Sequence, residues 1–131
     1  MSADKNKLNE LVGKMVGDMG ATMSAALIVL GDRVGLYKAM EGAGPLTSAQ
    51  VAKRAGCAER YVREWLAAQA AAGYIAYDRA SDRYELSPEQ AIVFAQDQSA
   101  VFMPGLAEII AAMWRDEPTI SEAFRTGQGV G

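Results

Sequence analysis

The chain contains no histidine and only one cysteine, Cys57, among its 131 residues. Without histidine, the chain has no imidazole for a catalytic dyad or triad and no histidine ligand for a metal. A single cysteine excludes an internal disulfide and a multi-cysteine zinc site, and it fits a reducing compartment. We interpret Cys57, which precedes a predicted helix, as a small buried or half-buried structural residue.

Long apolar runs and an excess of basic charge are also missing. The most apolar run, residues 21–30, is about half the length that a membrane span needs, roughly 20 residues. No basic start followed by a hydrophobic stretch marks a signal peptide. Thirteen basic and sixteen acidic side chains give a formal net charge of −3, so the chain has no overall basic footprint for nucleic acid. We expect a cytoplasmic protein without a membrane partner.

Alanine is abundant, with 24 residues, and favours helices. Apolar residues at helical spacing predict a first helix over about 5–19, which Gly20 would end, and a second helix over about 21–40. The second helix carries apolar residues on nearly all sides, which is typical of a helix buried on several faces. The N-terminal third is therefore predicted to be a pair of helices.

The C-terminal third predicts a helix over about 101–114, ended by Glu117-Pro118, and a last short helix over 119–124. Together with the N-terminal helices it carries more apolar surface than the roughly 40 residues between them need for a core of their own. We interpret these flanking helices as a platform that packs against another subunit or domain.

The middle of the chain carries strong boundary signals. Thr47-Ser-Ala-Gln50 is a capping box that starts a short helix. Gly56 makes a tight turn, a longer helix follows over about 58–72, and Gly73 closes it as a left-handed residue. This is the order of a helix-turn-helix.

Two short alternating runs, 74–77 and 83–86, then predict a β-hairpin, and Ser87-Pro-Glu-Gln90 is a second capping box. The predicted fold is therefore mainly α: a winged helix-turn-helix with a small two-stranded β-hairpin, flanked by long N-terminal and C-terminal helices. The expected organisation is N-terminal dimerisation helices over 1–44, the winged helix-turn-helix over 45–88, C-terminal helices packing on the platform over 89–126, and a flexible tail over 127–131.

The tail has a glycine at every second position: Gly127, Gly129 and Gly131. Nucleotide-binding loops of this kind need a buried strand before them and a helix after them, and neither is predicted here. We interpret the tail as a flexible segment.

Methionine is the most distinctive residue of the flanking helices. Its flexible, polarizable side chain can line an adaptable ligand pocket, although core packing is the simpler interpretation. The candidate substrate-pocket residues are Met15, Met19, Met23, Tyr37, Phe102 and Met113.

A DNA-binding transcriptional regulator is an alternative function for a winged helix. Its candidate contacts are Arg60 and Arg63 on the second helix of the motif and Arg79 and Arg83 on the wing. Between residues 47 and 86, however, six basic side chains face five acidic ones. Phosphate contacts dominate affinity for DNA, so this surface predicts weak binding. A small-ligand binding module that uses the methionine-rich helices is a third possibility.

Several weak motifs occur in a characteristic order. They are Gly35-Leu-Tyr-Lys-Ala-Met40, Pro45-Leu-Thr-Ser-Ala-Gln-Val-Ala52, Gly56, Tyr61-Val-Arg-Glu-Trp-Leu66, Ala72-Gly-Tyr-Ile75 and Arg83-Tyr-Glu-Leu-Ser-Pro88. In this order they resemble the N-terminal domain of bacterial S-adenosylmethionine (SAM)-dependent methyltransferases, in which a winged-helix region precedes a Rossmann-like catalytic domain. The resemblance extends from about Leu8 to Phe124.

The resemblance implies a role without catalysis in this chain. In such enzymes the N-terminal domain pairs subunits and helps to cover the pocket of a small organic substrate, while the catalytic domain that follows binds SAM. The chain would then form a homodimer, and residues 127–131 would lead to the catalytic domain. The family's catalytic and cofactor-binding residues have no matching positions here. We therefore assign no catalytic, cofactor-binding or metal-binding residue. Whether the chain has enzymatic activity is left open.

Overall fold

The computed structural model describes residues 2–130. In this range the chain forms six α-helices and one short antiparallel pair of strands. The elements are α1 Lys5–Arg33, α2 Leu36–Met40, α3 Ser48–Ala55, α4 Glu59–Ala71, β1 Ala76–Asp78, β2 Arg83–Glu85, α5 Pro88–Phe94 and α6 Pro104–Thr126. The mainly α-helical winged-helix prediction is confirmed. The predicted tail is described only as far as Val130, because Gly131 lies outside the described residues.

The N-terminal helices differ from the prediction. Gly20 does not end a helix, because α1 runs without a break through it to Arg33. Glycine weakens a helix but keeps its backbone N–H, so it need not end one. The break falls instead at Gly35, which takes a left-handed φ of 75° at the start of α2.

The C-terminal helices are also joined. α6 begins at Pro104 and continues through Pro118 to Thr126, so the predicted separate helix at 119–124 is wrong. Proline at Pro118 removes one backbone hydrogen bond within the helix. Residues 113–119 are exposed, so water can satisfy the carbonyl that this leaves unpaired.

The structure of the winged helix itself agrees closely with the boundaries predicted from the sequence. Thr47 and Ser87 both form complete capping boxes, at the starts of α3 and α5. Gly56 has a φ of 68° in the turn between α3 and α4, where glycine avoids the strain of a Cβ. In the hairpin Tyr77 is paired with Tyr84, and Leu46 adds a further bridge to Tyr84 on the other side.

The core is organised around Trp65 of α4, which packs against the last turns of α1. Its indole Nε1 donates a hydrogen bond of 2.8 Å to the carbonyl of Leu27. A Cβ placed on Gly31 would lie only 2.2 Å from the Trp65 ring. The absence of a side chain at Gly31 therefore allows α1 and α4 to meet.

Tyr37 of α2 links this contact to the rest of the core. Its ring centroid lies 4.9 Å from that of Trp65 and 5.0 Å from that of Phe94 in α5. Its hydroxyl donates a hydrogen bond to the buried side chain of Gln69. Burial raises the pKa of the Tyr37 hydroxyl, so it stays protonated and able to donate at neutral pH.

Two exposed ion pairs link the first two helices to α6 and to the segment before it. Arg33 donates two hydrogen bonds, of 2.8 and 2.7 Å, to the carboxylate of Glu108. Lys38 lies 2.8 Å from the carboxylate of Asp97. The hydrogen bond from the Arg33 guanidinium lowers the pKa of Glu108, and that from Lys38 lowers the pKa of Asp97.

Replacing Gly31→Ala should destabilise the fold by about 1–3 kcal/mol, the usual range for overpacking a filled core. Thermal or urea unfolding measures the change. Gly105→Ala is the matched control, because a Cβ at this helical glycine meets no atom within 4 Å. Equal stability of the two variants would contradict the close contact between α1 and α4.

Acid should weaken the attachment of α6. The pKa of Glu108 is lower in the folded chain than its ordinary value of 4.5, so protonation favours unfolding. The Arg33–Glu108 pair contributes its full stability at a pH above 4.5. That contribution is lost as the pH falls through the lower pKa that Glu108 has in the folded chain. The Glu108→Gln variant should show a shallower loss of stability with acid in unfolding curves from pH 6 to about pH 3. An unchanged pH dependence would count against the pair.

Candidate functional site

The first half of α1 projects from the core. Every residue from 5 to 20, which we call the arm, is exposed along its whole circumference. Its apolar residues nevertheless form a stripe at helical spacing, and Leu8, Val12 and Met15 are 50%, 53% and 54% exposed. Side chains of this kind in a continuous exposed patch usually mark an interaction surface.

A groove lies between the second half of α1 and the first half of α6. Its volume is about 520 Å³. It is lined by Met19, Thr22, Met23, Ala26 and Val29 of α1 and by Ala107, Ile110, Ala111 and Trp114 of α6. Thr22 is the one polar side chain in this lining, and its hydroxyl already donates to the carbonyl of Asp18 at 2.9 Å. The groove therefore offers an apolar wall with no charged group.

The rest of the structure holds the two walls of the groove in place. α1 is fixed by Trp65, as described above. The start of α6 is fixed by a backbone hydrogen bond of 2.9 Å from Met103 to Val93, and Pro104 is buried. The Arg33–Glu108 pair joins the two helices directly. The arm and the groove thus form one continuous surface on a rigid base.

α6 carries a second apolar stripe beside the groove. Leu106, Ile109 and Met113 are each between 57% and 60% exposed, and Phe124 is 87% exposed. The apolar side chains of α6 therefore extend around much more of the helix than the side that packs against α1. A surface of this size is unusual for a chain that works without a partner.

By length and composition alone, α1 could also cross a membrane. Its most apolar window of 18 residues has a mean hydropathy of 1.2, and 11% of that window is buried. The core helix of a soluble protein and a signal sequence near the N-terminus meet the same criterion, so this property alone is weak evidence for a membrane span.

The candidate pocket residues are spread over several places. Met19 and Met23 line the groove. Met15 lies one turn earlier on the arm, and Met113 lies on the neighbouring stripe of α6. The remaining two residues are less accessible: Phe102 is half-buried before α6, and Tyr37 is buried in the core. The role of these six residues in a substrate pocket stays a prediction.

Sequence reasoning identified only part of the α6 wall of the groove. The large apolar side chains that repeat at helical spacing are Phe102, Leu106, Ile109, Ile110 and Met113, and of these Ile110 alone lines the groove. The groove uses the adjacent face, where Ala107 and Ala111 are small. Small side chains give little hydropathy signal, so Ile110 and Trp114 are the large residues that mark that face.

The candidate DNA contacts form no free basic surface. Arg63 of α4 makes a bidentate ion pair with Glu59, at 3.0 and 2.6 Å. Arg83 of the wing is half-buried and donates to Gln50 at 3.2 Å. Arg60 and Arg79 are exposed but lie on separate elements. Hydrogen bonding by Arg63 lowers the pKa of Glu59, so this acidic charge persists on the α4 surface at neutral pH.

Between residues 2 and 130, no group of three or more Cys, Asp and Glu side chains is placed to hold a metal ion. Cys57 is half-buried, as expected, and its Sγ lies 3.6 Å from the carbonyl of Ala55.

Solved structures show where this fold occurs. The mitomycin 7-O-methyltransferase MmcR is similar with a TM-score of 0.71 and 21% identity, over 95% of this chain and 37% of that chain. PigF with SAH is similar with a TM-score of 0.69 and 17% identity, over 91% of this chain and 37% of that chain. An O-methyltransferase family protein from Burkholderia thailandensis is similar with a TM-score of 0.64 and 18% identity, over 98% of this chain and 35% of that chain. The chain thus spans little more than a third of each of these proteins.

The sequence comparison gives the family. No curated protein sequence matches the chain. Residues 22–96, more than half of the chain, match the model of the Rv2258c-like winged HTH domain. This range includes the core half of α1, the whole winged helix and α5. The chain belongs to the family of Rv2258c-like winged helix-turn-helix domains.

Proposed function

We propose that the chain is the homodimerisation and substrate-lid domain of a cytoplasmic SAM-dependent methyltransferase that acts on small organic molecules. The observation that carries this proposal is the continuous apolar surface formed by the arm and the groove. The likeness of the whole fold to about a third of three solved chains, two of them described as methyltransferases, supports the choice of enzyme class.

The energetics favour a protein partner for this surface. Burying apolar surface contributes about 25 cal/mol for each Å² removed from water. A typical stable interface buries about 800 Å² on each partner. The arm, the groove and the second stripe of α6 together expose at least eleven large apolar side chains that the core does not use. Pairing would bury many of them at once.

The groove also suits the lid role. Met19 and Met23 can change rotamer to fit different apolar shapes at little strain. Met15 and Met113 continue the same adaptable surface along the two helices, and Phe102 lies in the segment that leads into α6. Tyr37 acts indirectly, because its packing sets the position of α2 beneath α1.

In the whole enzyme, SAM would supply the methyl group to a nucleophile of the substrate. The contribution of this chain would be to exclude water from an apolar substrate and to hold two subunits together. We assign no catalytic, cofactor-binding or metal-binding residue to it.

The DNA-binding alternative gains no support from the site. Arg63 is paired with Glu59, Arg83 is half-buried and bonded to Gln50, and basic side chains outnumber acidic ones between residues 47 and 86 by only one.

The chain should be a dimer at micromolar concentration by multi-angle light scattering. Val12→Glu places a charge in the apolar stripe of the arm and should shift the chain towards monomer at the same concentration. Tyr61→Glu is the matched control: Tyr61 is 75% exposed on α4, outside the arm and groove, so its replacement should leave the mass unchanged. A wild-type chain that stays monomeric throughout the micromolar range would refute the pairing role.

DNA binding should be weak, and it should not depend on the arginines of α4. In a gel-shift assay at about 0.15 M salt, the chain and its Arg60→Ala/Arg63→Ala variant should behave alike. Specific binding that the double substitution abolishes would favour the transcriptional regulator instead.

A further inference from the structure

We propose that Met15, Met19 and Met23 of α1, which we call the methionine row, form a site of reversible oxidation by peroxides. Conversion of their thioethers to sulfoxides makes one face of α1 polar and weakens the pairing of two copies. The effect on pairing rests on the proposed function, whereas the reactivity of the site does not.

The exposure of the methionines is the first observation. Methionine is among the residues that proteins bury most often. Here five of the six methionines between residues 2 and 130 are exposed, and Met23 is 71% exposed. Met40, in contrast, lies fully inside the core. A peroxide therefore reaches the thioethers of the flanking helices and is kept from that of Met40.

The members of the row share one face of α1. They follow one another at steps of four residues, so each side chain neighbours the next on the following turn. The row is about 12 Å long, since a helix rises 1.5 Å per residue. Met19 and Met23 also line the groove, whose walls carry no charged group. Oxidation of the row therefore changes the polarity of one continuous surface.

The choice of sulfur-containing side chains on this face is the second observation. Leucine would give an equally apolar stripe, but it does not react with peroxide. Cys57, the one cysteine of the chain, is half-buried between α3 and α4. The exposed thioethers are thus the sulfur atoms most open to an oxidant. A sulfoxide oxygen accepts hydrogen bonds from water, so covering it with an apolar surface costs free energy.

The oxidation needs only a peroxide as co-reactant. The sulfur lone pair attacks one oxygen of hydrogen peroxide, so that an S–O bond forms as the O–O bond breaks. The leaving hydroxide takes the proton of the transferred oxygen and departs as water. The sulfur loses two electrons, which the peroxide gains. Methionine sulfoxide reductases reverse the change, and with electrons from two thiols they release the oxygen as water.

Treatment with hydrogen peroxide, followed by mass spectrometry of peptides, tests the reactivity of the site. At short times Met23 should be oxidised at least about tenfold faster than Met40. Circular dichroism of the same samples checks that the chain stays folded. Equal oxidation rates at Met23 and Met40 in the folded chain would overturn the proposal.

The variant Met15→Leu/Met19→Leu/Met23→Leu separates the row from the other methionines. It keeps the surface apolar and removes the three thioethers, while Met103 and Met113 can still be oxidised. In a dilution series followed by light scattering, peroxide should weaken the wild-type dimer at least about tenfold. It should weaken the variant dimer less than about twofold, and sulfoxide reductases should restore the wild-type dimer.

The outcomes distinguish this inference from the proposed function. A wild-type dimer that is unaffected by complete oxidation of the row would overturn the redox control and leave the pairing role standing. An equal loss of pairing in the variant would overturn the assignment to the row.

A chain that never dimerises would refute the pairing function and, with it, the redox control of pairing. Retention on a hydrophobic-interaction column then tests the site itself. Oxidation should shorten the retention of the wild-type chain and leave that of the variant nearly unchanged. Equal retention of the oxidised and reduced wild-type chains would overturn the change in polarity as well.

Discussion

The close packing of Trp65 on Gly31 sets the arrangement of the whole chain. The ring of Trp65 occupies the space in which a side chain at residue 31 would lie, and its indole N–H bonds to the carbonyl of Leu27. These two contacts fix the direction of α1 relative to α4. Tyr37 of α2 packs on the same ring and also on Phe94 of α5, so this contact helps to position α2 and α5 as well.

This arrangement separates a well-packed core from a surface that the core does not use. The winged helix buries its apolar residues between α2, α3, α4 and the hairpin. The outer halves of α1 and α6 contribute few residues to that core. Their apolar stripes are thus left exposed, while α4, which reads DNA in other winged helices, keeps a nearly balanced charge.

The sequence predicts the winged helix well because its signals are local. The capping boxes at Thr47 and Ser87, the glycine turn at Gly56 and the hairpin pattern each depend on neighbouring residues, and the structure contains all of them. The helix ends at Gly20 and Pro118 were predicted wrongly because a glycine or proline only weakens a helix. Whether the helix continues depends on its surroundings.

The candidate site was harder to predict from sequence. The stripe of the arm is visible in the spacing of Leu8, Val12 and Met15. The groove, in contrast, depends on where α6 lies relative to α1. Distant contacts decide this, such as the backbone hydrogen bond from Met103 to Val93 and the pair between Arg33 and Glu108. The small residues Ala107 and Ala111 in the α6 wall give little hydropathy signal.

The continuity of α1 has a mechanical consequence. One end of the helix is clamped in the core, and the other extends about 24 Å beyond it, so the helix acts as a lever. A tilt of about 5° at the clamp moves the tip of the arm by roughly 2 Å, more than the rise of one helical residue. The direction of the whole arm is therefore set deep in the core, at Gly31, far from the tip that moves.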